Sequence, residues 1–260
     1  MINKINLFLY KFFGYRLTKT QTGFEVKKIS KTQTKPLYIE FVGAFGVGKT
    51  TLFNNLNNER NKSWVVASDY IYLNRKMINR EIIESAGFYY QELAKYCMVD
   101  LMERKILPTD KMSKFNFLHS KLLEEIFILL NNKEFTIIND DGFLHNCTNA
   151  FIKLYDYDKS LFEQSIKHRI VVYCYTSPDV LANQILKRQK ETGFLSIFHT
   201  HENLTELINK QKVFLDEKRE LISLLKKYNR PILNINTSDP LEENCRKVKE
   251  FILKNQNENI

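Results

Sequence analysis

The sequence predicts an α/β fold: a doubly wound, five-stranded, mainly parallel sheet with helices on both faces and a small N-terminal appendage. Three observations predict it. Short apolar, β-branched runs alternate with longer segments of helical periodicity, which is the pattern of successive βαβ units. One glycine-rich segment, Gly43-Ala44-Phe45-Gly46-Val47-Gly48-Lys49-Thr50-Thr51, follows a strand-like run and opens a helix-like one. The chain has 260 residues, enough for one such domain with a full core.

The N-terminal 35 residues stand apart by charge. The formal charge is +9, and Lys4, Lys11, Arg16, Lys19, Lys27, Lys28, Lys31 and Lys35 against Glu25 place +7 of it before residue 36. Residues 36–260 are therefore close to balanced, and specific nucleic-acid binding is not expected of them. Within the arm, Ile2, Ile5, Phe8, Leu9, Phe12 and Phe13 recur at helical spacing with Lys4 and Lys11 off the stripe. This short amphipathic helix either lies on an anionic membrane through residues 1–20 or packs on the protein's own surface. Thr18 to Thr34 reads as a small hairpin or an extended arm. No run of about 18 apolar residues reads as a membrane span. Cys97, Cys147, Cys174 and Cys245 are scattered, as reduced structural thiols in a cytoplasmic protein are. The expected location is the cytoplasm, with peripheral contact at the inner face of the membrane if the arm binds lipid.

Residues 36–260 carry the chemistry. Leu37-Tyr38-Ile39-Glu40-Phe41-Val42 is a buried strand by composition, with Pro36 at its start. The segment from Gly43 to Thr51 matches G-x-x-x-x-G-K-[ST], a loop whose backbone N–H groups cradle phosphates. Its glycines let the chain curl so that N–H groups converge on one concavity. Lys49 reaches the β- and γ-phosphates of ATP, and the Thr50 hydroxyl ligates Mg²⁺. All nine residues, Gly43, Ala44, Phe45, Gly46, Val47, Gly48, Lys49, Thr50 and Thr51, are assigned to cofactor binding.

Trp64-Val65-Val66-Ala67 reads as a second strand, ending at Ser68-Asp69. Asp69 there either orients an acceptor hydroxyl or caps a helix. Residues 72–132 are helical in pattern, with a second helix from Lys114 to Leu130. Glu134 to Asn139 forms a third strand, and Asp140-Asp141-Gly142 follows it. An acid at the tip of the strand beside the phosphate loop can hold the Mg²⁺ shell. Asp140 is assigned to the metal with Thr50, and Asp141 to the metal or the acceptor. Arg169 to Tyr175 is the fourth strand, and Ser177-Pro178-Asp179 opens a helix ending at Lys187-Arg188-Gln189-Lys190. Residues 188–204, with Gly193 as a hinge, read as a lid. A long helix from Glu206 to Tyr228, a fifth strand from Pro231 to Asn236, and a capped helix from Thr237 onward complete the pattern.

With these elements assembled, residues 36 to 254 resemble the P-loop kinases that include thymidylate kinases and deoxynucleoside kinases. Gly43 to Thr51, Ile138-Asn139-Asp140, the segment Ile170 to Lys190 and the closing Ile235 to Glu243 carry the resemblance. It implies ATP and Mg²⁺ as cofactors and makes Arg188 a lid arginine on the transferring phosphoryl, where a charge at a helix C-terminus is the other reading. The chain departs from these families at three positions. Phe45 replaces the Asp of thymidylate kinases, Val42 replaces the Glu of deoxynucleoside kinases, and Asp141 replaces the acceptor-binding Arg of both. The basic aromatic start ending in Gly14-Tyr15-Arg16-Leu17 is similar to bacterial enzymes of surface-polysaccharide assembly. The expected activity is a small-molecule kinase with Lys49, Asp69, Asp140, Asp141 and Arg188 as its catalytic groups. Its acceptor would be a nucleoside, nucleotide, sugar or glycan. The alternatives are a nucleotide-dependent switch or regulatory ATPase acting on a protein partner, and a binding module without turnover.

Overall fold

The computed structural model describes residues 15–20, 23–28, 36–58, 63–74, 87–103, 107–132, 135–192 and 204–257. The first two stretches pair as an antiparallel hairpin, β1 (Tyr15–Thr20) with β2 (Gly23–Lys28), so the arm contains the hairpin of the two forms expected. The amphipathic helix expected over residues 1–13 lies outside the described residues.

The main sheet is built around β3 (Leu37–Gly43), which is buried at every position after the first. A run apolar on both faces can only be satisfied in the middle of a covered sheet. β3 accordingly pairs with β5 (Thr136–Asn139) on one side and β6 (Arg169–Tyr175) on the other. The two-residue β4 (Val65–Val66) and β7 (Ile232–Asn236) form the edges, in the order β4-β5-β3-β6-β7. All four pairings are parallel. Five parallel strands with helical crossovers are the expected fold class.

Parallel neighbours need long crossovers, and helices supply them. α1 (Lys49–Asn57) links β3 to β4. α2 (Ala67–Asn74), α3 (Gly87–Glu103) and α4 (Pro108–Asn131) lead to β5. α5 (Phe143–Asn146), α6 (Thr148–Tyr157) and α7 (Lys159–Ile166) lead to β6, in a stretch to which the sequence pattern assigned no element. α8 (Pro178–Thr192) and α9 (Leu204–Lys227) lead to β7, and α10 (Leu241–Asn257) follows it.

Side chains alternate across the sheet along β3. Ile39 and Phe41 enter a core with Leu52, Leu56, Leu215, Val248 and Ile252. Val42 faces the other core, with Leu122, Ile126, Phe151, Phe162 and Leu225. Glu40 lies between these apolar neighbours and is fully buried. Among the described residues, no helix is long and apolar enough to cross a membrane.

Several boundaries differ from the expectation: α4 begins at Pro108, ahead of Lys114, β5 at Thr136, α10 at Leu241, and the second strand is shortened. The strand read over Trp64–Ala67 pairs only at Val65 and Val66, and Ala67 already begins α2. Trp64 turns its indole N–H to Asn57 Oδ1, 3.3 Å away, instead of extending the ladder. Ser68 and Asp69 therefore follow the carboxyl end of β4 within the first helical turn.

Candidate functional site

β3 stops at Gly43 because a side chain cannot follow there: a Cβ on Gly43 would lie 2.4 Å from the Cys174 carbonyl oxygen of β6. The chain then turns through Ala44-Phe45-Gly46-Val47, with the Val47 N–H donating to Ala44 O at 3.4 Å. Gly46 and Gly48 hold φ of +81° and +93°, the left-handed region that side-chain-bearing residues avoid. Ala44 and Val47 are buried, which anchors the loop, and Phe45 is 43% exposed at its outer side. α1 starts at Gly48 with no side-chain cap on its first turn. Its first N–H groups and positive dipole end are thus left to bind an anion.

Lys49 is the first residue of α1 and is only 7% exposed. Its ammonium donates to Ala44 O at 3.2 Å and Gly43 O at 3.5 Å. Among the described residues it has no carboxylate within 4.0 Å. Burial lowers it to about 8, against the upward pull of Cys174, Asp140 and Asp141. A buried cation held only by carbonyls is costly, and an incoming phosphate relieves that cost.

Asp140, just beyond the carboxyl end of β5, is half-buried. Burial raises its carboxyl, opposed first by a hydrogen bond from the Thr50 hydroxyl and further by Lys49. The structure therefore brings together Lys49, Thr50 and Asp140. Hard oxygen donors from one hydroxyl and one carboxylate fit Mg²⁺, which takes its other ligands from water and phosphate.

Asp141 is placed differently. One carboxylate oxygen pairs with Lys121 Nζ at 3.0 Å and the other accepts from Asn146 Nδ2 at 2.9 Å. Asp69 is exposed in the first turn of α2, just past the end of the edge strand β4. No hydrogen bond or ion pair among the described residues joins it to Lys49, Thr50 or Asp140. Arg188 is exposed on the last turns of α8, and residues 193–203 of the lid expected over 188–204 lie outside the described residues.

Residues that the sequence reading did not single out surround the turn after β5. Glu40 is fully buried on β3, and its Oε1 accepts from the His145 N–H at 2.7 Å. Its Oε2 accepts from Arg169 Nη1 at 2.8 Å. The same guanidinium binds Glu125 of α4 through both nitrogens, with Nη1 to Oε2 at 3.0 Å. Burial raises Glu40 to about 8 and raises Glu125, against the pull of Arg169 between them. Lys218 of α9 reaches His145 O at 2.5 Å and also Thr148 Oγ1. Burial lowers its ammonium to about 7, helped by the nearby charge of Lys49. The available signal was a charged residue at the centre of an otherwise apolar strand.

No family model matches this sequence, and no curated protein matches it. Solved structures similar to the chain include deoxyadenosine kinase from M. mycoides with dCMP and a flexible dCDP bound, at 14% identity and TM-score 0.47, over 84% of this chain and 100% of that one. The same kinase with bound dATP is similar at 16% identity and TM-score 0.42, over 82% and 98%. Shikimate kinase from Bacteroides thetaiotaomicron is similar at 14% identity and TM-score 0.42, over 84% and 98%.

Proposed function

We propose that this chain is an ATP- and Mg²⁺-dependent small-molecule kinase of the cytoplasm, moving the γ-phosphoryl group to a hydroxyl or phosphate of an acceptor. The observation that carries the reading is the buried Lys49, with no ion pair within 4.0 Å among the described residues, near Thr50 and Asp140 at the uncapped start of α1. Phosphate oxygens take the first N–H groups of α1, and Lys49 exchanges its carbonyl partners for the β- and γ-phosphates. Thr50 and Asp140 hold the metal. Mg²⁺ held there would supply neutralisation of phosphate charge. The bond from the γ-phosphorus to the bridging oxygen breaks while Lys49 stabilises the charge that develops. ADP leaves, and the acceptor oxygen forms the new bond to phosphorus. Asp69 orients that acceptor and takes its proton where it is a hydroxyl, and Arg188 closes on the transferred group with the lid. Positioning and electrostatics supply the rate.

The acceptor class is a nucleoside, nucleotide, sugar or glycan. ATP consumption with Mg²⁺ against such a panel tests the reading, with Lys49→Ala as control. Acceptor-dependent turnover that the substitution abolishes is the expected result. Slow hydrolysis that ignores every acceptor and rises with a protein partner would replace the kinase by a switch. The basic, amphipathic residues 1–20 support a peripheral contact with anionic membrane. Salt-sensitive binding to anionic vesicles, lost when these residues are deleted, is the expected outcome. Binding that survives the deletion would refute it.

A further inference from the structure

We propose that Glu40 is a positioning residue for the metal-binding turn, holding Asp140 in register with Thr50 from beneath the sheet. The proposal rests on the nucleotide and Mg²⁺ reading above and adds to it the group that shapes the site from inside the fold.

The geometry begins with register. Glu40 on β3 lies opposite Asn139, the last residue of β5, so its side chain reaches the turn that Asn139 opens. That turn runs through Asp140, Asp141 and Gly142 into α5. Gly142 rests directly on the Glu40 carboxyl: a Cβ there would lie 2.4 Å from Cδ and 2.5 Å from Oε1. Three residues on, the His145 N–H donates to the same Oε1. Glu40 thus touches the chain at two points just past Asp140. Its second oxygen is fixed by Arg169, whose guanidinium is fixed by Glu125, by Ser165 O at 2.9 Å, and by stacking 4.9 Å from the Phe151 ring centroid.

The remaining bonds of the turn show what this support is for. Asn139 Oδ1 accepts from the Asp141 N–H at 3.1 Å, and Asn146 Nδ2 donates to Gly142 O and Asp141 Oδ1, both at 2.9 Å. Lys121 takes the other oxygen of Asp141, and Lys218 takes the His145 carbonyl. Both flanks of Asp140 are tied down, while its own carboxyl is left facing Thr50 and Lys49. A buried ion triad is weak grounds for stability by itself, since apolar residues of similar volume often serve as well. A carboxylate that receives a backbone N–H of the metal-bearing segment and excludes a side chain from it does what outer-shell groups do. It orients a ligand that it does not replace.

The test is calorimetric binding of a non-hydrolysable ATP analogue to the full chain, in Mg²⁺ and in EDTA. Wild type is expected to bind in both and more tightly with Mg²⁺. Glu40→Gln keeps the shape and replaces one carboxyl oxygen by an amide NH₂, and is expected to lose about 10- to 100-fold of affinity in Mg²⁺ while staying within about twofold in EDTA. Gly142→Ala, which intrudes on Glu40 without altering its charge, is expected to show the same selective loss. Leu225→Ala, a core truncation on α9, sets the pattern of a general loss of structure and should leave the ratio of the two affinities at the wild-type value. Wild-type ratios in both Glu40→Gln and Gly142→Ala would overturn the proposal, as would a proportional loss in Mg²⁺ and EDTA alike. Wild type that binds the analogue in neither condition would refute the nucleotide reading itself, and this inference with it.

Discussion

Lys49 and Arg169 are both buried cations, 7% and 1% exposed, and the fold treats them in opposite ways. Arg169 lies between two carboxylates, Glu40 and Glu125, and its charge is answered inside the protein. Lys49 sits at the carboxyl end of the same sheet with two carbonyls and no carboxylate within 4.0 Å among the described residues. The first is a joint between β3, β6 and α4. On the proposed function, the second is the charge that meets an incoming phosphate. Buried charge therefore separates support from function here by its partners, not by its depth.

The sharpest way to break this comparison is to remove each cation. Lys49→Met should reduce ATP turnover by about a thousandfold, since the developing phosphoryl charge loses its nearest cation. It should not lower the thermal midpoint, because it removes an unanswered charge; a marked drop in the midpoint would show that Lys49 is structural. Arg169→Met should do the reverse to stability. It strands two carboxylates, and denaturant unfolding should show a loss of about 3–5 kcal/mol. A change well under 1 kcal/mol would mean that the two acids neutralise freely and the joint is dispensable.

A pH series sharpens the contrast. The Glu40 carboxyl is raised from 4.5 to about 8, so between those values the native state binds the extra proton and stability falls as pH rises. The Lys49 ammonium is lowered from 10.5 to about 8, so above 8 the unfolded state binds the extra proton and stability rises toward 10.5. Subtracting the unfolding curves of Glu40→Gln and Lys49→Met from wild type should reveal the two opposite slopes. Equal slopes would remove the distinction. The smallest effect belongs to a residue in neither region: Asp158, whose side chain caps α7 by accepting from the Leu161 N–H at 2.9 Å. Asp158→Ala should cost about 1 kcal/mol of stability and leave nucleotide binding unchanged, as measured by denaturation and calorimetry.

The same contrast explains what could be read from the chain. The glycine-rich segment is local, with strand, glycines, Lys49 and Thr50 inside one short stretch, so its motif is legible without the fold. Asp140 was visible too, as an acid at the end of an apolar run. The joint beneath them was not, because Arg169 lies 129 residues from Glu40 and 44 from Glu125. Only the topology, with β3 between β5 and β6, brings them together. Helices α6 and α7 escape the sequence pattern although α6 buries Ala150, Phe151 and Leu154 and α7 buries Leu161, Phe162 and Ile166, both at helical spacing. The second strand was read too long because apolar Trp64 and Ala67 flank the two residues that pair. Trp64 is buried without joining the ladder, and Ala67 serves the helix.

The measurement that bears most directly on the assigned site is Mg²⁺-dependent binding of ATP to wild type, Asp140→Asn and Asp141→Asn. Asp140 faces Thr50, whereas Asp141 is held by Lys121 and Asn146. Wild type should bind more tightly with Mg²⁺, Asp140→Asn should lose that gain, and Asp141→Asn should retain most of it. Retention of the full Mg²⁺ effect in Asp140→Asn would contradict the assignment of Thr50 and Asp140 as the metal-holding pair.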